Sequence, residues 1–288
     1  MHTLTRSTFT TVKTEGAILP ADLLQRVADG RSLDGLTPAD YHLAPSERLN
    51  EAINRSWNRC LGVWQSFDEQ RNRLPASDTG ITLTRERWLL ILFQELGYGR
   101  LSFQGKLAAS GVDYPISHSW EQAPIHLVSF RQDLDRRDPL AKRSPHSLMQ
   151  EYLNRAPDSL WGFASNGLRL RILRDNASLT RAAYVEFDLE AMLTGELYAD
   201  FSLLWLVCHQ SRVEGGAGLV PAQGRPVNAT DCWLERWSQA AAEQGTRALD
   251  ALRQGVQDAI SVLGRGFLRH PANGALKAAL KSGRAVQF

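Results

Sequence analysis

Cysteine is scarce in this chain of 288 residues: Cys60, Cys208 and Cys232 lie far apart, with no Cys-x-x-Cys pair. Such spacing offers neither a disulfide framework nor a thiolate zinc site, and it fits a reducing compartment. Long apolar runs are missing too. The longest, Trp88 to Phe93 and Leu203 to Cys208, fall far short of a bilayer span, and the N-terminal MHTLTRSTFTTVKTEG has no apolar signal core. The expectation is a soluble, cytoplasmic protein with no membrane partner. Neither charge sign dominates: 33 Lys and Arg stand against 31 Asp and Glu, a formal +2. That balance permits an anionic partner through a local patch and does not require one. No internal repeat occurs. With 43% hydrophobic residues the chain can bury a substantial core.

Periodicity divides the chain into three parts. Residues 1–45 are polar and punctuated by Pro20, Pro38 and Pro45, and read as an entry segment with one short helix near 21–28. From Ser46, the residues Leu49, Ile53, Trp57, Leu61 and Trp64 recur every three or four positions, which predicts a long amphipathic helix. Thr84 then caps an all-round apolar helix over 85–96, ended by Gly97. Alternation predicts strands at 112–117 and 125–130, joined across 118–124. A basic, proline-bounded loop over 131–145 follows, then a helix over 147–155. Beyond Leu189 the chain reads as helical, interrupted by a Gly/Pro-rich loop at 214–228. Residues 231–268 read as one long helix or two joined near Gly245, with Leu249, Leu252, Val256, Ile260, Leu263 and Phe267 in one stripe. The domains expected are thus 1–45, an α/β domain at 46–190, and a helical extension at 191–288.

The densest signal is LWGFASNGLRLRILRDNASLTRAAYVEFDLE at 160–190. Two apolar runs flank Asn166-Gly167, where positive φ is cheap, so a β-hairpin is predicted. The stretch resembles the W-G-x-x-x-N-G-x-x-x-R-(I/L)-(L/Y) hairpin of type IIG restriction-modification enzymes and of the large adenine DNA methyltransferases of phage-defence systems such as DISARM. The matching residues are Trp161, Gly162, Asn166, Gly167, Arg171 and Leu173, followed by Tyr184 to Glu190. The order helix, strand, strand, basic loop, helix, strand, strand likewise resembles restriction-endonuclease-like domains. The fold class expected is therefore α/β (α+β), a restriction-endonuclease-like mixed sheet flanked by helices with a helical C-terminal extension.

Active nucleases of that fold hold Mg²⁺ with an Asp near one strand start and a Glu-x-Lys on the next. The candidates here are Glu95 or Asp113, but the following strand has His126 in place of the Glu and Val128 in place of the Lys. The resemblance accordingly implies a degenerate nuclease domain with no resident metal. The S-adenosylmethionine loop and the Asn/Asp-Pro-Pro-aromatic tetrapeptide of the methyltransferases are missing from these 288 residues. The expectation is a non-catalytic, DNA-binding N-terminal module of such a protein. It needs no cofactor of its own, although the family uses S-adenosylmethionine. Its partners would be duplex DNA and a methyltransferase domain or other defence-system subunits. Two alternatives stand beside it: a divergent Mg²⁺-dependent nuclease using Glu95, Asp113 and His126, and a protein-interaction module without DNA contact.

Arg131, Arg136, Arg137, Arg169 and Arg171 are the candidates for phosphate contact, because the guanidinium fork fits phosphate oxygens. Against this stands an ordinary solvated surface neutralised by Asp133, Asp135, Asp138 and Asp175. Glu186 and Asp188 are expected to pair with nearby arginines or to cap the helix beginning near Leu189. The tryptophans on helix stripes are expected in the core, and His118, His126, His146 and His209 are expected to be structural or surface residues.

Overall fold

The Asn166-Gly167 signal becomes a hairpin of strands Trp161–Ser165 and Arg169–Arg174. Gly167 takes φ +82, and the Asn166 side chain accepts N–H bonds from Leu168 (3.1 Å) and Arg169 (2.9 Å), closing the turn from within. The computed structural model describes residues 9–30, 33–137, 142–175, 182–216, 231–274 and 278. In it the hairpin is the centre of a six-stranded mixed sheet. Strands in chain order are β1 (Val12–Glu15), β2 (Leu107–Ala109), β3 (Val112–Tyr114), β4 (His118–Trp120), β5 (Ala123–Leu127), β6 and β7 (the hairpin) and β8 (Tyr184–Asp188). The sheet order is β1-β8-β7-β6-β5-β4, while β2 and β3 form a separate ribbon. Neighbours are antiparallel except β5 and β6, which run parallel. Parallel neighbours need a crossover, and α5 (Pro145–Leu153) supplies it, with the Ser144 hydroxyl capping its first turn.

Helices α1 (Ala21–Asp29), α2 (Leu49–Arg73), α6 (Leu189–Thr194), α7 (Tyr198–Cys208) and α8 (Trp233–Arg269) complete the chain, with a composite helix over 81–98. That composite is α-helical at α3 (Ile81–Thr84) and α4 (Leu90–Phe93) and π-wound at Arg85–Leu89 and Gln94–Tyr98. Sheet residues alternate between two cores. Ala164 and Leu173 join Leu148, Met149, Tyr152 and Leu153 beneath α5. On the other face Phe163 meets Phe93 and Tyr98 edge-on, each at 5.8 Å, and Trp64, Phe67 and Trp88 cluster behind them. Trp57, Trp64, Trp88, Trp205, Trp233 and Trp237 are all buried, as their stripes predicted.

Several expectations are corrected. Thr84 is no cap; its hydroxyl donates to Gly80 O, and the helix begins four residues earlier. Strand 112–117 is short and pairs with 107–109 instead of the 125–130 region. The segment read as a joiner, 118–124, forms β4 and a two-residue turn, with Glu121 at φ +48. The strand predicted over 125–130 runs Ala123–Leu127, leaving Val128 outside it. The helical reading after Leu189 breaks at Gly195 between α6 and α7.

The expected domain limits also move. Two compact units divide between Ser238 and Gln239. Residues 1–45 are no free entry segment, because β1 adds the outer strand beside β8. Arg212, fully buried, donates to Gly35 O and Asp40 O and stacks 3.9 Å from the Tyr41 ring, tying residues 33–41 to the part expected as an extension. Residues 217–228 of the predicted Gly/Pro loop lie outside the described residues. Within the second unit, 239–288, Leu249, Leu252, Val256, Ile260, Leu263 and Phe267 form the predicted stripe and are half to three-quarters exposed. No helix of the described residues is long and apolar enough to cross a membrane.

Candidate nucleic-acid interface

Between β5 and α5 the chain forms the basic loop, whose described part is 131–137 and 142–144; Asp138 lies outside it. The loop is held from below at three points. Asn166 Nδ2, in the hairpin turn, donates to Gln132 O (2.9 Å), and His146 N donates to Leu134 O (3.0 Å), with the Leu134 side chain buried. Arg171, on β7, grips Asp135 with both terminal amino groups, Nη1 to Oδ1 at 2.6 Å and Nη2 to Oδ2 at 2.7 Å, while its Nε donates to Glu186 Oε2. Register explains the last pair: Arg171 lies directly opposite Glu186 across β7 and β8, so both side chains share one face.

Arg171 is 2% exposed, and its guanidinium sits 4.3 Å from the Tyr184 ring centroid. Burial works against its charge, but the bonds to Asp135 and Glu186 outweigh that and raise its pKa. The Arg171 bond holds the Asp135 carboxyl below its usual range. His146, 3.4 Å from Arg171 Nη1, is held down at about 4 by burial and then by that positive charge. Arg171 is thus a buried strut, which corrects its assignment as a phosphate contact. Arg169, half exposed, reaches the same Glu186 at 3.6 Å.

The loop face differs. Arg131, Arg136 and Arg137 line one hollow of about 430 Å³ with Asp78, Asp133 and Gln132. Arg131 donates to Leu74 O and Pro75 O, both at 3.1 Å, and lies 5.0 Å from the Phe130 ring. Asp78 is occupied by the Gly80 N–H and Asp133 by the Asp135 N–H. Arg136 and Arg137 are exposed, and neither is ion-paired among the described residues. Three of the five predicted arginines therefore converge on one patch, and the other two lie on β7. The Asn-Gly turn presents no tip to solvent. Asn166 is buried, and Gly167 O accepts the Trp88 indole N–H at 2.7 Å.

The nuclease candidates do not make a common site. Glu95 sits in the composite helix and pairs with Arg59 at 3.1 Å. Asp113 is on the separate β2–β3 ribbon, paired with Lys106. His126 lies buried on β5. Among the described residues no group of three or more His, Cys, Asp and Glu side chains is placed to hold a metal ion. Glu186 and Asp188 do as expected: Glu186 pairs with arginines, and Asp188 caps α6 by accepting the Ala191 N–H at 3.0 Å.

Sequence reasoning missed Arg85. It stands beside Glu86 and Arg87 at the polar start of the helix, where nothing in the pattern singles it out, and it lines a second cavity with Arg100, Phe103 and His118. Compared with protein-family models, with curated proteins and with solved structures, the chain gives no match.

Proposed function

We propose that this chain is a non-catalytic module that holds duplex DNA by its phosphates through the loop at 131–137, in the manner expected of an N-terminal part of a defence-type adenine DNA methyltransferase. The observation that carries the reading is the convergence of Arg131, Arg136 and Arg137 on one exposed hollow whose two aspartates are already engaged by backbone N–H groups. The hairpin acts as the platform. Asn166 and Arg171 fix the loop from beneath, so the arginines are presented without a large ordering cost on binding. The order β4, β5, basic loop, α5, β6 goes with a restriction-endonuclease-like core, and the separate ion pairs of Glu95 and Asp113 go with a core that has lost its metal chemistry. Phosphate contact without base contact gives steep salt dependence and little sequence preference. The test is a titration of the purified chain against fluorescent duplex DNA, with and without Mg²⁺, with the same samples then run on a gel. Binding with intact DNA supports the reading; Mg²⁺-dependent cutting contradicts it.

A second reading, attachment to another protein chain, is favoured by the α8 stripe. Its six side chains are each half to three-quarters exposed, while Glu243, Arg247, Asp258, Arg265 and Arg269 project by helical phase from the opposite side and Arg253 flanks the stripe. The occupant that fits is a second copy of the same helix.

A further inference from the structure

The cavity beside the first π-turn of the composite helix measures about 680 Å³, a size suited to a small ligand. It is lined by Arg85, Glu86, Arg100, Phe103 and His118, with aliphatic Ile81, Leu90, Ile91 and Leu101. Arg85 decides its chemistry. This side chain is half-buried, and its Nε donates to Leu127 O at 2.7 Å. Its two terminal amino groups find no acceptor among the described residues. Burial lowers its pKa, with no opposing carboxylate among the described residues. A half-buried cationic fork with both terminal amino groups facing an open cavity favours an oxyanion. The backbone at Arg85–Leu89 is π-wound, a rare geometry concentrated at functional sites.

The other walls agree. His118 is buried, with Nδ1 on the Ser117 hydroxyl at 2.9 Å, and burial, then Arg85, hold it neutral with a pKa of about 4. Close by on β5, His126 has an Nδ1 with no partner among the described residues, and burial, then the Arg85 charge, hold it neutral with a pKa of about 4. Phe103 is 66% exposed, which is unusual for so large an apolar ring. It packs edge-on against His118 at 5.7 Å and lies 5.5 Å from the Arg85 guanidinium. Arg100 adds a second cation, this one exposed, and Glu86 is the one acid among the described lining residues.

We propose that this cavity binds a phosphate monoester carrying a flat ring, a mononucleotide-sized anion, with the phosphate on Arg85 and Arg100 and the ring against Phe103. The site is separate from the loop at 131–137, and neither depends on the other. The test is calorimetric titration of the full chain with AMP, inorganic phosphate and adenosine. AMP binds saturably, phosphate binds more weakly and adenosine does not bind. Arg100→Ala and Phe103→Ala, both at exposed positions, each weaken AMP about tenfold, the loss expected for one charge-assisted contact or one stacking contact. Arg85→Lys keeps a cation but loses the fork and weakens AMP similarly, with circular dichroism confirming the fold. Arg136→Ala with Arg137→Ala leaves AMP binding unchanged, which separates this site from the proposed DNA patch. Three results overturn the proposal: no saturable AMP binding tighter than about 1 mM, adenosine binding as tightly as AMP, or AMP affinity unchanged in both the Arg100 and Phe103 variants.

Discussion

Arg171 and Asp135, on a central strand and in the basic loop, meet as a two-pronged ion pair at 2.6 and 2.7 Å. The exposed loop is thereby fastened to the best-buried part of the sheet, and Glu186 completes the charge balance from the neighbouring strand. Truncating Arg171 leaves the Glu186 carboxylate, whose side chain is 10% exposed, with only the longer 3.6 Å contact to Arg169. Breaking a buried pair from one side costs about 3–5 kcal/mol. Arg171→Met should therefore lower stability by that order in urea unfolding, while Arg171→Met with Glu186→Gln recovers a large part. Equal losses in the single and double variants would contradict the pairing.

Gly167 makes a sharper geometric claim. A Cβ there would lie 2.7 Å from Thr84 Cγ2 on a backbone at φ +82. Gly167→Ala combines left-handed strain with a clash against the composite helix, and a loss of about 2 kcal/mol or more is expected. A variant as stable as the parent would show that the turn is not seated on Trp88 and Thr84.

Acid stability follows from the buried histidines. Burial, then Arg85 and His118, hold His126 at about 4, against about 6.5 in an unfolded chain. Between those values the unfolded state binds more protons at this site than the folded one. The stability contribution is therefore complete above about pH 6.5 and is lost as pH falls towards 4. His118 and His146, also near 4, and His209, near 3, act in the same direction. Urea midpoints should fall steadily from pH 6.5 to 4. His126→Leu, which also removes an unpartnered buried nitrogen, should flatten part of that decline; an unchanged slope would contradict the assignment.

For α8, sedimentation velocity should show association that strengthens with concentration. Leu252→Asp with Leu263→Asp, both on the exposed stripe, should abolish it without loss of helix content. A parent chain monomeric at all concentrations rules out the second copy as occupant.

What could be read in advance was local. The Asn166-Gly167 hairpin, the α2 and α8 stripes and the Asp188 cap each depend on residues within a few positions, and all are present. Pairings between distant segments left no such trace. Nothing in Val12–Glu15 announces β8 as its neighbour, and the reversal at Glu121 places a non-glycine residue at positive φ, where turn signals do not point. The candidate site was half legible. Arg131, Arg136 and Arg137 cluster in sequence and in space, whereas Arg169 and Arg171 share a strand face but differ in fate. Alternation identifies a shared face; it does not say that Glu186 and a loop carboxylate will close over one of the two.

The most direct test of DNA holding is the salt dependence of duplex binding, compared between the parent chain and Arg136→Ala with Arg137→Ala. The account predicts weaker binding by the variant on every sequence, a log–log salt slope shallower by about one unit per lost contact, and unchanged thermal stability. A variant with the parent's affinity and slope would contradict it.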